Sequence, residues 1–146
     1  MDSVFEIELT VRDYECDLQG IVNNSVYQNY LEHCRHEFLK EIGLDFISLH
    51  NNGIDAVVTR IEMDYRQPLK PRDVFIVRLG LRKQGRIRFV FDQSIVRKAD
   101  DRPVLEAQVT AVLTRNGRPV APDVLDAACA SKGWNFQPAF TADQSK

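Results

Sequence analysis

The chain has 146 residues, a length that fits one domain and leaves little room for a second. Hydrophobic residues make up 44 % and charged residues 27 %, which excludes wholesale disorder, and a net charge of −2 argues against a broad nucleic-acid footprint. Three cysteines, Cys16, Cys34 and Cys129, form neither a disulfide framework nor a zinc-type spacing and suit a reducing compartment; no apolar run approaches the ~20 residues that cross a bilayer, and the acidic start does not read as a signal peptide.

Phe5, Ile7, Leu9 and Val11 alternate with Glu6, Glu8, Thr10 and Arg12, the pattern of a half-buried strand. Residues 13–25 break the alternation with Gly20, Asn23, Asn24 and Ser25 and read as a loop. A helix is predicted over about 25–42, because Val26, Tyr27, Tyr30, Leu31, Cys34, Phe38, Leu39 and Ile42 recur at spacings of mostly three and four. Ser25 with Gln28 has the form of a capping box, with Asn24 as the other candidate cap, and Gly43 is placed to end the helix.

After the Asn51-Asn52-Gly53 turn, four strands are predicted in series. The first, about 54–66, places Val57, Thr59, Ile61, Met63 and Tyr65 on one face and stops before Pro68 and Pro71. The others run about 73–82, 86–98 and 104–115, with turns at Lys83-Gln84-Gly85, Ala99 to Pro103 and Asn116-Gly117. Pro122 can open a short helix through about Ser131, and a polar tail starts at Gln137. One long helix against one curled antiparallel sheet is an α+β layer architecture, expected as a single domain over 1–136 with a tail over 137–146. A sheet this small leaves an edge to cover, and pairing two copies edge to edge covers it.

Asp17 lies in the loop before the long helix. The unpaired N–H groups of a helix start can polarise a carbonyl, and a carboxylate facing them can attack an acyl carbon or activate water. A loop aspartate there is also a common cap or turn residue, and these residues alone leave both roles open. Gly20 is expected to let the loop approach closely without a Cβ.

The string Asp17-x-x-Gly20-Ile21-Val22-x-x-x-x-Tyr27, continued by Glu32-x-x-Arg35-x-x-Phe38, resembles the active-site motif of the 4-hydroxybenzoyl-CoA thioesterase family. Residues 57–73, with Asp64, Tyr65 and Pro68, resemble the strand that follows that family's helix. The Val-Asn-Asn-x-Val-Tyr and Arg-His-Glu-Phe-Leu segments are similar to the plant and cyanobacterial acyl-lipid thioesterase branch. The resemblance covers roughly 5–115 and implies a hotdog fold, with the helix wrapped by about five strands. It implies hydrolysis of an acyl thioester of CoA or acyl carrier protein. Asp17 would be nucleophile or general base, and the backbone N–H near Asn24 would polarise the carbonyl. No metal or cofactor is implied, and no nucleic-acid or membrane partner. Family sites lie between subunits, so a homodimer, pairing further into a homotetramer, is expected. The expected compartment is the cytoplasm, or the plastid stroma for a processed plant protein. Asn23 and Asn24 replace the family's common aromatic or histidine, which bears on substrate choice more than on reaction type.

The remaining candidates are weaker. Arg35 can hold the Asp17 loop or form an ion pair with Glu32 or Glu37. His33 can shuttle protons or be structural, Glu32 can be a second carboxylate, and Cys16 lacks a base. The substrate-contacting set expected is Gly20, Val22, Tyr27, Thr59, Arg86 and Arg88, the last two within a basic cluster with Arg82 and Lys83 suited to CoA phosphates or an acidic carrier protein. A fatty or β-ketoacyl carrier-protein substrate follows from the branch, and an aromatic acyl-CoA from the wider group. Two alternatives share the fold. A dehydratase would need a His-x-x-x-x-Pro setting that the chain lacks, and a non-catalytic thioester-binding module would have no use for Asp17.

Overall fold

The computed structural model describes residues 4–134. The expected tail from Gln137 therefore lies outside the described residues. Strand β1 (Phe5–Thr10) leads through a 3-10 turn at Asp13–Glu15 to helix α1 (Asn24–Glu41) and a short helix α2 (Phe46–Asn51). Strands β2 (Ile54–Tyr65), β3 (Val74–Gln84), β4 (Arg88–Arg97), β5 (Pro103–Arg115) and β6 (Arg118–Val120) follow, then helix α3 (Asp123–Ser131).

The long helix forms where its periodicity places it. Tyr27, Tyr30, Leu31, Cys34, Phe38 and Leu39 are its buried stripe. Its cap differs from the expected Ser25–Gln28 box and from Asn24. Asn23 caps it, accepting the Ser25 N–H and the Ser25 hydroxyl at 3.2 Å each. A short asparagine in extended backbone reaches the N2 amide directly, which Ser25, already inside the helix, cannot do. Gly43, at φ +82°, ends the helix as expected.

The sheet is antiparallel, in the order β1-β3-β4-β5-β2, with β6 hairpinned onto β5. Asn116 (φ 52°) and Gly117 (φ 84°) form the two-residue turn of that hairpin, the left-handed pair that such a turn requires. The strand after the long helix does not pair with its successor. β2 crosses to β5 and becomes an edge, and the 66–73 connection passes over the end of the sheet with Leu69 wholly buried.

The face turned to α1 carries Phe75, Val77 and Leu79 of β3, Phe89, Phe91 and Ile95 of β4, and Leu105, Val109 and Ala111 of β5. Burying each such large side chain contributes roughly 1.5–3 kcal/mol, so this layer dominates cohesion. One expected face is corrected. β2 bulges between Val58 and Arg60, so Ala56 and Val58, rather than Val57 and Thr59, share the helix-facing side with Ile61, Met63 and Tyr65. A bulge puts an extra residue out of register and shifts the alternation behind it by one. α2 was not foreseen; Asp45 caps it by accepting the Ile47 N–H. α3 begins after Pro122 as expected and buries Leu125 and Cys129.

Candidate active site

The loop between β1 and α1 is folded by its own polar groups. Cys16 and Val22 form an antiparallel bridge, the Asp17 N–H donates to the Ile21 carbonyl at 2.9 Å, and the Gly20 N–H donates to the Asp17 carbonyl at 3.0 Å. Gly20 has φ +77°, yet no other protein atom lies within 4 Å of a Cβ built there. The left-handed backbone at this position is one that glycine adopts freely. The Asp17 carboxylate is exposed and accepts the Gln19 N–H at 2.8 Å, an Asx turn that fixes its direction.

Two tyrosines one turn apart on α1 pin this loop from beneath. Tyr30 donates its hydroxyl to the buried Glu15 carboxylate at 2.7 Å. The Arg12 backbone N–H (2.8 Å) and guanidinium (3.1 Å) complete that carboxylate's partners. Burial first, and the bond to Glu15 second, push the Tyr30 hydroxyl's pKa upward. The Glu15 carbonyl accepts the Asn23 N–H at 3.0 Å, so the same residue fixes the helix start. Tyr27 accepts the Leu69 N–H at 3.0 Å, and the Leu69 carbonyl accepts the Val22 N–H at 2.9 Å. Glu15 was missed from sequence. The available signal was Tyr30, a core-face hydroxyl that must find a partner.

At the helix start, Asn23 takes the Ser25 and Val26 N–H groups, and among the described residues no acceptor meets the Asn24 N–H. A first-turn amide without a partner is a donor available to a ligand. Beside it Asn24, Tyr27, Tyr65 and Pro68 border a hollow of about 200 Å³. The Tyr27 and Tyr65 rings meet edge to face at 5.6 Å.

The sequence model of the Thioesterase-like superfamily matches residues 11–129. The chain belongs to that superfamily. It is 39 % identical over 121 residues to the chloroplastic acyl-acyl carrier protein thioesterase ATL3 of Arabidopsis thaliana, covering 82 % of this chain and 64 % of that protein. The chain thus spans less than two thirds of that relative. A crystal structure of a hypothetical protein from Aquifex aeolicus superposes with a TM-score of 0.77 at 32 % identity, covering 85 % of this chain and 98 % of that one. The structure of a 1,4-dihydroxy-2-naphthoyl-CoA thioesterase from Synechocystis superposes with a TM-score of 0.81 at 17 % identity, covering 91 % and 100 %, which shows the shared hotdog fold.

Within this superfamily member, the sequence-derived candidates separate into two groups. Val22, Asn24 and Tyr27 border one hollow at the start of α1, while Asp17 and Gly20 lie in the preceding loop, outside the hollow's lining. Val22 and Tyr27 are buried, so their side chains form the floor of the site rather than its rim. Arg35 does not touch the Asp17 loop and forms no ion pair with Glu32 or Glu37. It stands eleven residues into α1, about 16 Å from Asn24, and donates to the Gln93 side-chain oxygen at 3.1 Å. Gln93, buried on β4, in turn donates to the Leu31 carbonyl. Thr59 sits at the β2 bulge, six residues or about 20 Å of strand from Tyr65.

Arg86 and Arg88 are exposed around the β3–β4 turn, at the end of the sheet away from Asp17 in the same chain. Their neighbours are engaged. Arg82, almost buried, pairs with Asp92 at 2.8 Å, and Lys83 pairs with Asp126 at 2.7 Å. His33 is exposed, while Glu32 lies 3.9 Å from His36. Partial burial, then the carboxylates of Asp13, Asp17 and Glu15, push the Cys16 thiol up. That disfavours a thiolate nucleophile. Among the described residues no cluster of His, Cys, Asp and Glu could hold a metal ion.

Proposed function

We propose that the chain hydrolyses an acyl thioester of CoA or acyl carrier protein to a carboxylic acid and a thiol. The carrying observation is that the Cys16–Val22 bridge and the Asn23–Glu15 bond fold the loop bearing the exposed Asp17 carboxylate onto the start of α1, where among the described residues no acceptor meets the Asn24 N–H. The thioester oxygen, set at the helix start, receives that N–H. Charge develops on this oxygen as the carbonyl carbon becomes tetrahedral, where a fixed donor is worth most. Asp17 activates a water as general base, or attacks the carbon itself and is released by water in a second step. In either route the C–S bond breaks, the sulfur takes a proton, and water supplies the new carboxyl oxygen.

The matching region of an acyl-acyl carrier protein thioesterase supports the carrier-protein form of the substrate. The edge position of β2 supports a homodimer joined along that strand. In an antiparallel edge pair, the Ile54 end of one subunit meets the Tyr65 end of the other. That brings one subunit's basic turn, with Arg86 and Arg88, toward its partner's site.

Thiol release from a panel of acyl-CoA and acyl-carrier-protein thioesters tests the reading. Asp17→Asn should lower kcat by at least a hundredfold while the circular dichroism spectrum and melting temperature stay unchanged. A folded variant that turns over normally would remove Asp17 from the mechanism. Release from no member, by either protein, would leave a binding module.

A further inference from the structure

Tyr27 and Tyr30 stand one turn apart on the buried side of α1, and their hydroxyls are used in opposite ways. Tyr30 gives its proton to Glu15. Tyr27 accepts the Leu69 N–H at 3.0 Å, and among the described residues no acceptor meets its own proton. A phenol hydroxyl both accepts and donates, so only half of this one is used. Tyr27 is 2 % exposed, and buried donors in folded proteins almost always have an acceptor.

The backbone fixes where this hydroxyl stands. Three residues separate Tyr27 from Asn24, about 4.5 Å along the helix axis. Helical side chains lean toward the N-terminus and cover the preceding turn, so the Tyr27 ring reaches back across that interval. Leu69 sets its end point. The Leu69 carbonyl takes the Val22 N–H at 2.9 Å while the Leu69 N–H meets the phenol oxygen, which holds the hydroxyl beside the segment that enters α1. Asn24 and Tyr27 border the same hollow. Tyr65, also on that border, is half-exposed and turns its hydroxyl to the Met63 sulfur at 3.8 Å.

We propose that the Tyr27 hydroxyl is a second catalytic donor: with the Asn24 N–H it holds the thioester oxygen, and its bond strengthens as that oxygen gains charge. The assignment rests on the thioester hydrolase reading and adds a group to that site. Two donors converging on one oxygen fix its direction as well as stabilise its charge. The proton stays on the phenol throughout. The C–S bond still breaks with the electron pair leaving on sulfur, and the sulfur still takes its proton from water. Burial, the largest effect, pushes the Tyr27 pKa up; the Leu69 N–H opposes this, and Tyr65, Cys16 and Asp17 add to the rise. The hydroxyl therefore keeps the proton it has to donate.

The test is steady-state thiol release by the full chain from lauroyl-CoA, or from benzoyl-CoA if that ester is cleaved faster. Tyr27→Phe keeps the ring and should lower kcat about a hundredfold with KM little changed. That change also strips the Leu69 N–H of its acceptor, so a second protein keeps the oxygen in place. Trifluorotyrosine introduced at position 27 by nonsense suppression has the same shape and a more acidic hydroxyl. Its kcat should be close to that of wild type in mild acid and should fall as pH rises through the ionisation of the fluorinated phenol, where wild type stays level. The phenolate still accepts from Leu69, so a merely structural Tyr27 would give no such fall.

A folded Tyr27→Phe protein with the kcat of wild type, or a trifluorotyrosine protein whose pH profile follows wild type, would overturn the assignment while hydrolysis stands. If Tyr27→Phe does not fold, the pH profile of the fluorinated protein decides. A wild type that releases no thiol from either ester, or from any member of the wider panel, would sink the hydrolase reading and this assignment with it, and that failure shows before any variant is made.

Discussion

Removing the Tyr30 hydroxyl probes the fixture on which the candidate site depends. Tyr30 and Glu15 are both buried, and their oxygens are 2.7 Å apart. Tyr30→Phe keeps the ring against Phe75, with centroids at 4.6 Å, and deletes only the donor. A hydrogen bond to a charged group contributes about 1.5–3 kcal/mol, and the carboxylate left behind keeps its Arg12 partners, so a loss of about 2 kcal/mol is expected. At roughly 4 °C per kcal/mol for a chain of this length, the melting temperature should fall by about 8 °C. Urea unfolding of Tyr30→Phe, Glu15→Gln and the double variant closes a double-mutant cycle, and a coupling of at least 1 kcal/mol is expected. Because Glu15 also holds the Asn23 N–H, kcat on a good thioester should fall several-fold in Tyr30→Phe with KM little changed. A melting temperature within 2 °C of wild type, or a coupling near zero, would refute the claim that this bond fixes the loop.

Two further outcomes are expected. In an assembly shown by light scattering to be a dimer, Arg86→Ala combined with Arg88→Ala should raise KM for a CoA or carrier-protein thioester more than it lowers kcat; an unchanged KM would return both residues to a solubility role. Stability should fall as pH rises above about 9, because burial pushes the Cys34 thiol up to about 12 and the Cys129 thiol up to about 11. A group whose folded pKa is raised stabilises fully below its unfolded value and loses that contribution as pH climbs through the folded one. Urea midpoints at pH 8 and pH 10.5 should therefore differ in wild type and differ less in Cys34→Ala, and an equal pH slope in both proteins would contradict the assignment.

Much of this molecule is written locally. Alternation along Phe5 to Val11, three-and-four spacing from Val26 to Ile42, and the Asn116-Gly117 turn each depend on neighbours in sequence, and each forms where its pattern places it. The loop that carries Asp17 and the helix start at Asn24 were legible for the same reason, as turn residues standing before an amphipathic run. Helix α2 was not legible, because six residues are too short for periodicity to register and its cap Asp45 could equally open a turn.

Tertiary structure decided the rest through contacts between residues far apart in the chain. The departure of β2 from its sequence neighbour to β5 made it an edge, and one bulge reversed half of its face. Which polar side chains are spent was equally hidden: Arg35 went to Gln93, 58 residues away, and Tyr30 to Glu15, 15 residues away. Sequence supplied the residue types of the site. Only packing α1 against the curled sheet set Glu15 under the loop and brought the Leu69 N–H to the Tyr27 hydroxyl, because burial obliges each polar group to find whichever partner the fold brings within reach.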